Sequence, residues 1–166
     1  PSENIIVRNC EMKNGHGGVV VGSEISGGYR NLYVENCIMD SPELDRVIRI
    51  KTNTCRGGVI ENIFVRNIKV GQCKEAVLKI NLQYESNEKC NRGFNPIVRN
   101  VHLKNVTCNK SQYGIVAIGL DDDKYVSNIS VEDCHFNNVA KDGNRIENVS
   151  DITMKDLYIN GKKVKE

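Results

Sequence analysis

Tryptophan is absent, aromatic residues make up 5% of the chain, and there are three prolines. A core drawn from this composition has to be aliphatic. No apolar run approaches a membrane span, and no signal-peptide pattern opens the chain. Charge of one sign is also lacking. The net charge is +2 and the pI is near 8.3, so neither a nucleic-acid nor a membrane partner is expected. There is no C-x-x-C pair, and no histidine stands beside cysteines at zinc-finger spacing, so we expect no metal and no cofactor. Leu and Ala are sparse while Val, Ile and Asn are plentiful, which favours β-structure over a helical bundle. The 166 residues are enough for one domain with its own core.

What is present is a repeat. Asn4-Ile5-Ile6-Val7-Arg8-Asn9-Cys10 returns as Asn31-Leu32-Tyr33-Val34-Glu35-Asn36-Cys37 and as Asn62-Ile63-Phe64-Val65-Arg66-Asn67-Ile68. Three further copies begin at Asn100, Asn128 and Asp151. Positions 2 and 4 are apolar, position 5 is charged and position 6 is Asn or Asp in every copy. That alternation describes a strand with one face inward. Between copies lies a second β-like run, such as Val19-Val20-Val21 or Val47-Ile48-Arg49-Ile50. Two or three short strands per coil, with Gly and Asn at the bends, predict a parallel β-helix of about six coils, roughly 30 Å long. The Asn column predicts a ladder of side-chain amides that satisfies polar groups at the bend. A leucine-rich repeat is excluded by the missing L-x-x-L-x-L rhythm and by the variable coil length.

Cys10, Cys37 and Cys134 share one column and read as buried thiols, while a disulfide among Cys55, Cys73, Cys90 and Cys108 stays open. Residues 85–94 read as an exposed loop. Of the N-x-[ST] sequons, Asn105 and Asn128 belong to repeat columns, so burial is expected there rather than glycan attachment. Pro1-Ser2-Glu3 runs into a strand without a cap, and the polar Asn160-Gly161 tail follows a last strand. We therefore expect residues 1–166 to be the C-terminal part of one parallel β-helix catalytic domain.

The candidate chemistry gathers around Gly15-His16-Gly17 and Arg49-Ile50-Lys51. Glycines flanking a histidine allow close approach of a ligand. Arg49 and Lys51 are two apart on a strand, so both point to the outer face, where two cations suit an anionic ligand. Carboxylates are harder to place. Asp121-Asp122-Asp123 reads as a solvated turn, and neither Glu24 nor Asp45 stands out as half of a catalytic pair.

In their order, Gly15-His16-Gly17, Gly22-Ser23-Glu24 and Arg49-Ile50-Lys51 resemble glycoside hydrolase family 28, the polygalacturonases and related pectin-cleaving enzymes. The Ile-x-Val-x-Asn coils carry the resemblance along essentially the whole chain, and its wording leans toward exo-acting members. The resemblance implies a right-handed parallel β-helix, a pectin or polygalacturonate substrate, inverting hydrolysis of α-1,4 bonds, a monomer, and a secreted or periplasmic location. It implies catalytic support by His16 and substrate binding by Arg49, Lys51 and Tyr84. In the family an Asn-Thr-Asp and an Asp-Asp motif precede the Gly-His-Gly and supply the acid and base. Neither motif stands ahead of His16 here, and Asp121-Asp122-Asp123 comes too late in the order to replace them, so the 166 residues alone are expected to be inactive. The alternative is a non-catalytic β-helix that binds acidic polysaccharide or serves adhesion. A calcium-dependent lyase would need an acidic column near Arg49, and the sequence shows none.

Overall fold

In the computed structural model every residue is described except Ser86, Glu88 and Glu166. The strands in chain order are β1 (Ser2–Arg8), β2 (Glu11–Met12), β3 (Val19–Val21), β4 (Tyr29–Met39), β5 (Arg46–Lys51), β6 (Val59–Val70) and β7 (Ala76–Asn81). They continue as β8 (Ile97–Cys108), β9 (Tyr113–Ile118), β10 (Val126–Phe136), β11 (Arg145–Glu147), β12 (Ser150–Ile159) and β13 (Lys162–Lys163). Among the described residues they form two sheets. One runs β1-β4-β6-β8-β10-β12, with β2 beside β4 and the antiparallel β13 closing the far edge. The other runs β3-β5-β7-β9-β11, and all its pairings are parallel. The chain alternates between the sheets once per coil, which makes a right-handed parallel β-helix.

The long strands are bent, and the repeat explains where. Positions 1 and 6 of every copy take a left-handed backbone, from Asn4 and Asn9 (φ 59° and 56°) to Asp151 and Asp156 (φ 54° and 52°). Asn and Asp tolerate this region better than other side chains carrying a Cβ. Each such residue adds one step to the period-2 alternation. In β6 the buried residues are therefore Ile60, Ile63, Val65, Ile68 and Val70, with spacings of three and two residues in turn. The bend keeps apolar side chains inward around the corner, so position 7 also enters the core.

Two amide ladders hold the coils in register. In the first, Asn31, Asn62, Asn100 and Asn128 each donate from Nδ2 to the Oδ1 of the Asn one coil earlier, at 3.0, 3.1, 3.0 and 2.7 Å. In the second, Asn67 donates to Asn36 at 3.1 Å and Asn105 to Asn67 at 2.9 Å. The position-6 residues of the last two copies are Asp133 and Asp156, whose carboxylates have no N–H to pass on. The first ladder, at position 1, was not foreseen from the sequence.

Inside, like stacks on like. Leu32, Ile63, Val101 and Ile129 form one buried column, and Val34, Val65, Leu103 and Val131 form another. Burying each such side chain contributes about 1.5–3 kcal/mol. The position-5 charges face out and pair across coils, as Arg66 does with Glu35 at 2.8 Å. Exposed pairs of this kind contribute about 0–1 kcal/mol each.

Several expectations are corrected. Cys37 and Cys134 are buried, and burial pushes the Cys134 thiol up to about 11. Cys10 is exposed, because its coil is covered by a neighbour on one side only. Asn105 and Asn128 are exposed as well. It is the ladder, not burial, that engages their amide nitrogens. A disulfide joins Cys55 to Cys90 across a Cα separation of 5.7 Å, whereas Cys73 and Cys108 are free and buried. The described part of the 85–94 loop is exposed; Ser86 and Glu88 of that loop lie outside the described residues.

The ladder account makes a test of sign. Asn62 gives one amide bond and receives another. Asn62→Ala should destabilise the fold by about 2–4 kcal/mol, from the two lost bonds and the left-handed backbone. Asn62→Gly keeps the backbone at ease and should be milder by about 1 kcal/mol. Urea unfolding followed by circular dichroism reads both, and equal losses would contradict the account.

Candidate functional site

The sheet formed by β3, β5 and β7 carries the sequence-predicted cluster. Parallel pairing sets Val20 beside Arg49 and Arg49 beside Lys79, and sets Lys51 beside Asn81. Along β5, Val47, Ile48 and Ile50 are buried, while Arg46, Arg49 and Lys51 are half-buried on the outer side. The alternation read from the sequence therefore holds for both cations.

His16 lies in the bend ahead of β3. Backbone bonds to the next coil fix that bend. Gly15 N–H donates to Glu43 O at 3.1 Å, Asp45 N–H donates to Gly15 O at 2.9 Å, and Gly18 N–H donates to Arg46 O at 2.9 Å. Glycine is required where the bend meets β5. A Cβ on Gly17 would lie 3.3 Å from the Cβ of Arg49 and would strike Val20, and a Cβ on Gly22, at φ 112°, would collide with the carbonyl oxygen of Lys51. His16 and Arg49 thus sit on one side of the rod, on neighbouring coils.

Tyr84 follows β7 in a turn, and its ring meets both cations. The Lys51 Nζ is 4.6 Å from the ring centroid and the Arg49 Cζ is 5.7 Å from it. Such contacts orient a cation and contribute about 0.5–1 kcal/mol at exposed sites. Neither Arg49 nor Lys51 makes an ion pair with a described residue. Burial, and next the neighbouring Arg46, draws the Arg49 pKa below its ordinary value. Two cations lie side by side here, neither in an ion pair with a described carboxylate, although Glu75 and Asp45 act on Arg49 at longer range, and the arrangement suits an incoming anion.

Residues not singled out from the sequence complete the site. Asp45 lies 3.0 Å from the His16 Nδ1, and Arg46 Nη1 lies 3.5 Å from the same carboxylate oxygen. Arg46 also pairs with Glu75, which takes Lys79 as well. Lys79 is therefore ion-paired, whereas Arg49 beside it feels Glu75 and Asp45 only at longer range. Asn53 is buried with 2% exposure. Its Nδ2 donates to Tyr84 O at 3.0 Å and its Oδ1 accepts from Cys55 N–H at 2.9 Å. Tyr84 N–H in turn donates to Thr52 O at 3.0 Å. The turn that presents Tyr84 is thus held from both sides, and the Cys55–Cys90 disulfide ties down the loop beyond it. Asp45 was within reach of the sequence: laying Val19-Val20-Val21 over Ile48-Arg49-Ile50 puts His16 over Asp45.

Glu24 lines a shallow hollow together with Lys51, and Asp121 lines another with Thr54 and Gln83. Asp121, Asp122 and Asp123 are exposed, and Asp122 caps a single helical turn by accepting from Lys124 N–H at 3.0 Å. Glu24 lies 3.8 Å from Arg56. The opposite sheet carries an outward stack of Tyr33, Phe64 and His102, with centroids 5.3 Å apart and planes within 18°. Rings stacked in this way cover one another's faces and offer only edges, so they make a poor platform for a flat ligand.

Comparison with known proteins agrees with the fold. The sequence profile described as glycosyl hydrolases family 28 matches residues 1–151. A hyperthermoactive exopolygalacturonase from Thermotoga maritima is similar over 96% of this chain and 34% of its own, with 31% identity and a TM-score of 0.85. A family 28 exopolygalacturonase from Yersinia enterocolitica is similar over 95% of this chain and 31% of its own, with 19% identity and a TM-score of 0.61, a likeness of fold alone. The chain spans about a third of the length of each. Among curated proteins compared by sequence, none matches.

Asn53→Ala should leave the Tyr84 carbonyl and the Cys55 N–H without partners and cost about 1–3 kcal/mol. Denaturant unfolding measures this. An unchanged midpoint would show that the Asn53 bonds do not hold the turn.

Proposed function

The chain belongs to glycosyl hydrolases family 28, and from that premise we propose that it forms the substrate-holding part of a secreted or periplasmic hydrolase of pectin-type polysaccharide. The bond cleaved is the α-1,4 link between galacturonates, and the substrate is held by its carboxylate. The observation that carries this reading is the unpaired cation couple of Arg49 and Lys51 packed against Tyr84. A uronate presents a planar carboxylate on each sugar ring. The guanidinium fork of Arg49 matches it in bidentate fashion, and Lys51 adds a point charge alongside. Tyr84 orders the two cations before the sugar arrives, which lowers the entropy lost on binding.

Inverting hydrolysis needs one carboxyl as acid and another as base, placed on either side of the bond. Asp45 is engaged by His16 and Arg46, and Asp122 is engaged by the Lys124 N–H. In this reading the acid and the base come from carboxylates outside these 166 residues, and His16 supports them. The present chain binds and orients.

Two results test this. Arg49→Ala should weaken trigalacturonate binding, measured by calorimetry, roughly ten- to a hundredfold, the size of a lost charge-assisted bidentate contact. Thermal stability should stay close to that of the parent chain, because the side chain lies on the outer face. Loss of the fold with unchanged affinity in the folded fraction would refute the assignment. The chain by itself should release no reducing ends from polygalacturonate, and turnover that Asp122→Ala abolishes would contradict the division of labour.

A further inference from the structure

The side chain of His16 is 84% exposed, yet one of its nitrogens is already committed. Nδ1 lies 3.0 Å from Asp45 Oδ2. An ionised carboxylate accepts and does not donate, so the proton of this bond belongs to Nδ1. Nε2 makes no bond to a described residue.

Asp45 is itself held in place. Its backbone N–H is bonded to Gly15 O, on the residue just before His16. Its carboxylate faces Arg46 Nη1 at 3.5 Å and Lys74 Nζ at 3.9 Å. Arg46 is anchored by Glu75, and Lys74 pairs with Glu43 at 3.0 Å. Histidine and carboxylate are thus brought together by coil register, with cations steadying the carboxylate from two directions.

We propose that Asp45 is a positioning residue that holds the neutral His16 ring in its Nδ1–H tautomer and leaves Nε2 as a hydrogen-bond acceptor beside the Arg49 site. A neutral imidazole free in water favours the opposite tautomer, and the bond at one ring nitrogen decides the state of the other. The consequence is specific. Neutral His16 accepts at Nε2 from a sugar hydroxyl or a water. It donates there to a carboxylate only as an imidazolium, with Asp45 balancing the charge. The relevance of this to hydrolysis rests on the function proposed above, whereas the tautomer does not.

Long-range proton–nitrogen correlation on the 166-residue chain, with labelled histidine, reads the tautomer directly. The sample is held at about pH 8.5, well above the ordinary imidazole pKa. His16→Gln assigns the resonance among the three histidines of the chain. The expected result is a protonated Nδ1 and a bare Nε2 in the parent chain. Asp45→Ala should exchange the two nitrogen shifts and leave the His102 and His135 signals in place. Should Asp45→Ala fail to fold, a nuclear Overhauser contact in the parent chain between the Nδ1 proton and the Asp45 Hβ protons tests the pairing without a variant. A protonated Nε2 in the parent chain, a tautomer unchanged by Asp45→Ala, or no contact to Asp45 overturns the proposal. A chain that binds trigalacturonate through Arg49 yet shows Nε2–H refutes this inference alone. One that shows Nδ1–H but binds no uronate refutes the proposed function and leaves the tautomer standing.

Discussion

One hydrogen bond, repeated from coil to coil, sets the rest: the amide of an asparagine held in a left-handed bend, donating to the asparagine one turn earlier. Intervals between partners in the first ladder vary from 27 to 38 residues. Loops can lengthen or shorten freely, but the ladder resets the alignment at each corner. A slip of one residue would turn every inward side chain outward. The ladder and the apolar columns exclude that slip together, the first by directional bonding and the second by the loss of burial.

The site inherits this alignment. His16 meets Asp45, and Gly17 approaches Arg49, because β3 and β5 are in register, and Tyr84 reaches the two cations because β7 follows in the same register. Irregular segments then refine what the regular coil supplies. Asn53 holds the turn that carries Tyr84, and the Cys55–Cys90 bridge secures the loop that follows it. Local ion pairing distinguishes Arg49 from its neighbour. Lys79, beside Arg49 in the next coil, is ion-paired with Glu75, while Arg49 has no ion pair with a described residue.

The coil itself was legible in the sequence, since Ile-x-Val with a charge between is a strand with one dry face, and its recurrence implies stacking. The outward direction of Arg49 and Lys51 followed from the same alternation. Asp45 was passed over because a carboxylate beside a cation-rich strand reads as surface charge until the neighbouring coil is laid over it. The first asparagine ladder was hidden for a related reason. Position 1 looks like the edge of a strand in one dimension, and only backbone geometry shows it to be a corner. Asn105 and Asn128 were expected to be buried because they recur in columns. Recurrence marked a bend, and bends face solvent. For Cys55 and Cys90 the spacing alone could not choose among partners, because the loop between them returns to its start only in three dimensions.

The central claim is that coil register gathers Arg49, Lys51 and Tyr84 into a ready-made holder for a uronate carboxylate, with His16 and Asp45 alongside. A crystal structure of the chain with bound trigalacturonate tests it most directly. The account predicts one carboxylate bridging the Arg49 guanidinium and the Lys51 ammonium, with its sugar ring next to Tyr84. An oligosaccharide lying instead along Tyr33, Phe64 and His102 on the opposite sheet, with Arg49 and Lys51 left in solvent, would contradict it.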